Sequence, residues 1–215
     1  MDHQPTLMER PVLRGRLHQV AFVASVVGAV VLVRSASSLQ AEVVAWVYGT
    51  TACLLYLTSS TYHTGAWSPR VRRVLQRADH CMIYVLIAGT FTPICVLGLH
   101  GGWRWILLGV MWAGAVAGVV VKIVALERAP IFGNALYIVL GWTGLAALPA
   151  LVREPWSLLL VVAAGLLYTV GAALFAAKRP RLTSRWFGYH EVWHSLGVLA
   201  GVLLFLVNLR LVAAG

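Results

Sequence analysis

Two histidines four residues apart open the last long apolar segment, in the run His190-Glu191-Val192-Trp193-His194. Residues at positions i and i+4 lie on one face of a helix, so these two imidazoles are close enough to bind one metal ion. Imidazole inside a membrane span is costly, and a pair of them indicates a role beyond packing. Because catalytic zinc takes three protein ligands and a water, a further ligand must come from elsewhere in the chain.

The candidate third ligand is His63, near the end of another apolar segment. Ser59 precedes it by one turn on the same helical face. Of the seven acidic residues, Asp79 lies just before the apolar segment that follows the one with His63, and Glu191 lies at the start of the last apolar segment. An ionisable residue at the edge of a membrane span is a candidate for a functional site. We therefore take Ser59, His63 and Asp79 together with the histidine pair as one candidate site.

The composition places these residues in a membrane protein. Of 215 residues, 60% are apolar and only 11% are charged, and the mean hydropathy is +0.82. Soluble domains have about 25% charged residues. Windows of about 19 residues give seven apolar segments, at 17–33, 41–63, 80–99, 103–124, 133–151, 156–177 and 190–210. The sequence predicts an all-α, seven-transmembrane helix bundle in which a tail (1–16) precedes a single membrane domain (17–215).

The basic residues predict the orientation of this bundle. The formal net charge of +10 would suggest nucleic acid as the partner of a soluble protein. Here, 13 of the 17 basic residues fall on one alternate set of connections, namely Arg10, Arg14, Arg16, Arg70, Arg72, Arg73, Arg77, Lys122, Arg128, Lys178, Arg179, Arg181 and Arg185. By the positive-inside rule this set is cytosolic, so the amino terminus is cytosolic and the carboxyl terminus external. Membrane lipids with anionic headgroups, and not nucleic acid, are the expected partners.

The predicted orientation brings the candidate residues to one side of the membrane. His63 ends the second segment, Asp79 precedes the third and His190 begins the seventh. All three boundaries are cytosolic in the predicted topology. That topology is derived from the lysines and arginines alone, without use of the candidate ligands. The charge distribution and the candidate ligands therefore agree on a shared site near the cytosolic interface.

Three stretches of the chain resemble the signatures of a known family. They are Ser59 to His63, Arg77 to His80 running into Ile87 to Pro93, and Phe187 to His194. In order, spacing and position they are similar to the hemolysin III family, the bacterial branch of the progestin and adipoQ receptor superfamily. The resemblance implies a multi-pass protein of the bacterial plasma (inner) membrane and kinship with alkaline ceramidases.

The resemblance also implies a zinc ion bound by His63, His190 and His194, with Asp79 and Ser59 close to the water that zinc would activate. Such a site can hydrolyse an amide or ester. Asp79 could accept the proton from the water, and Ser59 could fix Asp79 or stabilise an oxyanion. A lipid is the expected substrate or ligand, and a lipid amide hydrolase is the expected activity. The alternatives are a non-enzymatic membrane sensor or regulator of lipids and a hemolysin-type lytic protein.

Simpler interpretations of single residues stay open at this point. Asp79 could cap a helix amino terminus, and His190 and His194 could do the same for the last span. Glu191 completes a His-Glu-x-x-His motif, in which it would be the general base of a peptidase. No acidic residue or histidine follows the motif as a third ligand, so a cap or an ion-pair partner is the favoured role. His18 is predicted to be an interface residue.

Overall fold

The structure, a computed structural model, describes residues 11–125, 130–147, 151, 154–182 and 185–215. Within these ranges there are seven α-helices and no strand, so the all-α fold is confirmed. The helices are α1 (Arg16–Arg34), α2 (Leu39–Thr64), α3 (Pro69–Pro93), α4 (Gly101–Ala125), α5 (Pro130–Thr143), α6 (Pro155–Ala176) and α7 (Tyr189–Ala214). Three residues that belong to the charge pattern, Arg10, Arg128 and Arg153, lie outside the described residues.

Six of the helices, with 19 to 26 residues each, are long and apolar enough to cross a membrane, and a π-helical turn at Ile94–Gly98 extends the span formed by α3. The remaining helix, α5, has 14 residues and is followed by a 3-10 turn at Gly144–Ala147. A spanning helix needs about 20 apolar residues. In the described part of the chain, the segment expected as the fifth span is therefore a shorter apolar helix.

Helix α3 begins earlier than its apolar segment indicates. The segment predicts a start at residue 80, whereas the helix starts at Pro69, after an amino-terminal cap by Ser68 that accepts a hydrogen bond from the Val71 amide. The basic residues from Arg70 to Arg77 thus belong to the first turns of a helix and not to a loop. Asp79 consequently lies in the third turn of α3, well inside the helix.

The helices form a closed ring in chain order, because α1 packs against α7 as well as against α2. Helix α7 also contacts α2, α3 and α6. At one end of the bundle, the Ser37 amide donates to the Val212 carbonyl at 3.2 Å, and Arg210 pairs with Glu154 at 2.8 Å. The carboxyl end of α2 and the amino-terminal parts of α3 and α7 meet at the opposite end.

Close approach of α2 and α3 depends on Gly89. A Cβ atom at this position would lie 2.1 Å from Oγ1 of Thr51, which is buried in α2 and bonded to its own helix at the Tyr48 carbonyl. A small residue at such a contact allows the backbone of one membrane helix to approach the side chains of its neighbour closely. By contrast, a Cβ added at Gly109 in α4 would meet no atom within 4 Å.

We expect Gly89→Ala to destabilise the bundle by about 1–3 kcal/mol, because the added methyl group overpacks the contact between α2 and α3. Gly109→Ala is the matched control. It fills open space and improves helix propensity, so its stability should equal or exceed that of the wild type. Thermal melting of both variants in detergent measures the difference, and equal melting temperatures would contradict the packing described for Gly89.

Candidate metal centre

His63 lies in the last turn of α2, and the local sequence sets where that helix ends. Gly65 adopts an extended conformation after Thr64. The indole Nε1 of Trp67 then donates a hydrogen bond of 2.9 Å to the Thr61 carbonyl, which also accepts the Gly65 amide at 3.4 Å. His63 and Ser59, one turn before it, are both buried.

The other two histidines lie in the first two turns of α7. Gly188 precedes the helix in an extended conformation, and its amide donates to Glu191 Oε2 at 2.8 Å. The second carboxylate oxygen of Glu191 pairs with the Arg14 guanidinium. This arrangement fixes the start of α7 and turns His190 and His194 toward the same side.

The three histidines meet at this end of the bundle. One ring nitrogen from each of His63, His190 and His194 lies within 4.8 Å of the others. The His190 and His194 rings are stacked at 29°, with centroids 4.7 Å apart. The His63 ring is almost perpendicular to both, at centroid distances of 4.7 and 5.0 Å. His63 and His194 are buried and His190 is partly buried.

The chemistry of this cluster fits a metal ion. The Nε2 atom of His194 is buried and has no hydrogen-bond partner among the described residues. A buried polar atom without a partner is costly, and a metal ion bound between the three rings would supply one. Imidazole suits zinc, copper, iron and nickel, so the ligand set favours a transition metal over calcium or magnesium.

Asp79 and Ser59 stand beside the triad. Oδ2 of Asp79 lies 3.8 Å from Nε2 of His63, which is too far for a hydrogen bond. The Ser59 hydroxyl interacts with the Asp79 side chain. Ser68, and not Asp79, caps α3. The structure thus brings together all five residues that the sequence proposed for the site.

His18 is the contact that the sequence did not predict. It was expected at the membrane interface, yet it is buried, and its Nε2 lies 2.7 Å from Nδ1 of His194. The two rings are nearly perpendicular, at a centroid distance of 3.9 Å. The sequence contained one signal for this contact, since any histidine within an apolar segment is a candidate functional residue.

The contacts of Glu191 argue against the role of a peptidase base. Its side chain is 1% exposed. One carboxylate oxygen pairs with Arg14 and the other accepts the Gly188 amide. A general base needs an oxygen that can reach the attacking water. The ion-pair and capping roles expected from the sequence agree with these contacts.

Comparison with known proteins identifies the family. The family model described as "Haemolysin-III related" matches residues 6–206. The chain belongs to the haemolysin-III related family. It is 32% identical to Hemolysin-3 of Bacillus cereus over 208 residues, which cover 94% of this chain and 90% of that protein. It is 33% identical to a Hemolysin-3 homolog of Bacillus subtilis (strain 168), over 72% of this chain and 70% of the relative.

A more distant relative is the human protein Monocyte to macrophage differentiation factor. It is 25% identical over 189 residues, which cover 82% of this chain and 74% of that protein. The resemblance that the sequence motifs indicated is thereby confirmed. The six apolar helices and the Bacillus relatives also fit the expected multi-pass bacterial membrane protein.

We expect the purified protein to bind about one transition-metal ion per chain, because a single three-imidazole cluster is present among the described residues. A His63→Ala, His190→Ala, His194→Ala triple variant should lose this metal. His100→Ala replaces an exposed histidine outside the cluster and should retain it. Elemental analysis in detergent measures both. Equal metal content in the triple variant and the wild type would rule out this cluster as the binding site.

Proposed function

We propose that the chain is a zinc-dependent integral-membrane hydrolase that acts on a lipid amide. The observation that supports this most directly is the cluster of His63, His190 and His194 beside a carboxylate. Three neutral imidazoles leave one coordination position open, which is typical of catalytic zinc and not of four-ligand structural zinc. Zinc at this position would supply Lewis-acid chemistry that activates water and polarises a carbonyl group.

Asp79 is the proposed general base. Its carboxylate lies next to His63 and is oriented by the Ser59 hydroxyl, so it can take a proton from a water at the open side of the triad. Ser59 belongs to α2, whereas Asp79 belongs to α3. Their interaction therefore links the carboxylate to the helix that positions His63.

A lipid is the substrate class that suits this location. The site lies among helices whose outer surfaces are apolar, for example at Val20 and Val23 of α1, which are 71% and 63% exposed. A long acyl chain can reach such a site from the bilayer without leaving an apolar environment. The kinship with alkaline ceramidases that the sequence motifs imply favours an amide. The arginines in the first turns of α3 are suited to anionic lipid headgroups and need no nucleic-acid partner.

We further propose the seven-span topology with a cytosolic amino terminus and an external carboxyl terminus. In this arrangement α5 and the following 3-10 turn provide the fifth crossing. The proximity of His63, Asp79 and His190 supports it, because these residues must lie on one side of the membrane to share an ion. The basic first turns of α3 fall at the same end, where the positive-inside rule places the cytosol.

The names of the Bacillus relatives describe lysis, which defines the second candidate function. Release of an entrapped dye from liposomes by the purified protein would test it. Dye release that persists in the histidine triple variant, without hydrolysis of any lipid amide, would favour the lytic function. Turnover that requires the three histidines would favour the hydrolase.

We expect Asp79→Asn to lower the hydrolysis of a long-chain lipid amide by about 100-fold or more, because general-base catalysis contributes at least this factor. Zinc content should stay near the wild-type value, since Asp79 lies outside the histidine cluster. Glu42→Gln is the matched control, because this carboxylate is exposed in the first turn of α2 at the opposite end of that helix. Release of free fatty acid from ceramide vesicles is the measurement.

A wild-type rate in Asp79→Asn would contradict the assignment of the base. A loss of both zinc and activity would instead indicate that Asp79 is a metal ligand. No turnover by the wild type, with zinc bound, would favour the sensor or regulator among the functions considered.

We expect a cysteine at position 214 to react with a membrane-impermeant thiol reagent in intact cells, and cysteines at 66 and 177 to react only after lysis. Ala66, Ala177 and Ala214 are exposed and small, so Ala→Cys at each is mild. The background must lack the three free cysteines Cys53, Cys81 and Cys95. Labelling of position 66 or 177 from outside would overturn the proposed orientation.

A further inference from the structure

We infer that His18 is a positioning residue that holds the His194 imidazole in the orientation required to bind the metal. The segment Pro11–His18, which contains it, packs against the histidine cluster. The inference rests on the proposed function in one respect, which is that the histidine cluster binds zinc. It adds a residue from α1 to a site that otherwise consists of residues from α2, α3 and α7.

The hydrogen bond between the two rings defines this role. A histidine that binds metal through Nε2 keeps its proton on Nδ1, and that N–H needs an acceptor. For His194, Nδ1 lies 2.7 Å from Nε2 of His18, while Nε2 is the buried atom without a described partner. With a metal ion on Nε2, His194 would therefore donate from Nδ1 to Nε2 of His18.

His18 acts through His194 and is not a fourth ligand. Nε2 of His18 is hydrogen-bonded to Nδ1 of His194. The atom assigned to the metal is the other ring nitrogen of His194, Nε2. The group of nitrogens that lie within 4.8 Å of one another does not include His18. The fourth coordination position thus stays available for water and substrate, as the proposed hydrolysis requires.

The segment that precedes His18 is attached to the start of α7. The amides of Val12 and Leu13 donate to the carbonyls of Arg185 and Trp186 at 3.0 and 3.2 Å. Arg14 then pairs with Glu191, which lies between two of the proposed ligands in sequence. These three contacts fix the segment to the first turn of α7 and to the residues just before that helix.

Gly15 fits the same segment against the third ligand. Its φ of +81° is in the left-handed region that favours glycine. A Cβ at this position would lie 2.8 Å from Cβ of His63 and 2.7 Å from Cγ2 of Thr64. The chain can therefore pass over the end of α2 only with glycine here. Helix α1, which contains His18, begins at the next residue.

The experiment compares zinc affinity in four variants of the full-length protein in detergent, by competition with a chromogenic zinc chelator. His18→Leu fills the space without an acceptor, and we expect it to weaken zinc binding about 10- to 100-fold, as loss of such partners does at other zinc sites. His18→Gln places its amide oxygen near the position of Nε2 and should recover most of this loss. His18→Asn is one methylene shorter, cannot reach His194, and should be as weak as His18→Leu.

Arg16→Gln is the matched control in the same segment, since Arg16 is exposed and its side chain bonds only to the nearby Gln19 among the described hydrogen bonds. It should bind zinc like the wild type. The absorption spectrum of the cobalt-substituted protein provides a second readout. It should change in His18→Leu and His18→Asn, and it should resemble the wild type in His18→Gln.

The possible results separate this inference from the proposed function. A wild type that binds no zinc overturns both. If the wild type binds zinc and His18→Asn binds it equally well, His18 has no positioning role and the proposed metal site remains. Equal losses in His18→Asn and His18→Gln would show that packing by the imidazole, and not its acceptor nitrogen, matters, which overturns the inference. If His18→Leu fails to fold, the comparison of Asn with Gln still decides.

Discussion

The buried ion pair between Arg14 and Glu191 joins the parts of the chain on which the histidine cluster depends. Glu191 is 1% exposed. A carboxylate at that depth is costly unless it is paired and its remaining lone pairs are bonded, and here the second oxygen accepts the Gly188 amide. The pair attaches the segment before α1 to the first turn of α7. Loss of Arg14 would leave the buried Glu191 carboxylate without its cationic partner, next to two of the proposed ligands in sequence.

The same requirement explains how polar side chains are arranged in an otherwise apolar bundle. Ser60, Thr61 and Thr64 near the end of α2 donate to carbonyls of their own helix, and Ser59 interacts with Asp79. In lipid, each unsatisfied polar group costs several kcal/mol, so hydroxyl groups find partners within the protein. The exception among the ligands is Nε2 of His194, which lacks a described partner. That atom points to where a metal ion would be bound.

The closed ring of helices turns distant sequence positions into one site. The contact of α1 with α7 brings His18 to His194, and the contacts among α2, α3 and α7 bring His63, Asp79 and His190 together. In the proposed hydrolase, each helix has a separate task. α2 and α7 bind the ion, α3 supplies the base, and α1 orients one ligand. Because a bundle of packed helices deforms little, Asp79 would keep its position relative to a metal ion bound by the three histidines.

The sequence alone determined the features that depend on local periodicity and composition. The i, i+4 spacing of His190 and His194 requires only that the segment be helical, and the apolar segments required an all-α membrane protein. Tertiary structure decided the rest. Hydropathy could not locate the start of α3, because the capped and arginine-rich turns from Pro69 contain little apolar surface and are nevertheless helical. Nor could it place His18, since its hydrogen bond joins residues 176 positions apart and exists only because α1 packs against α7.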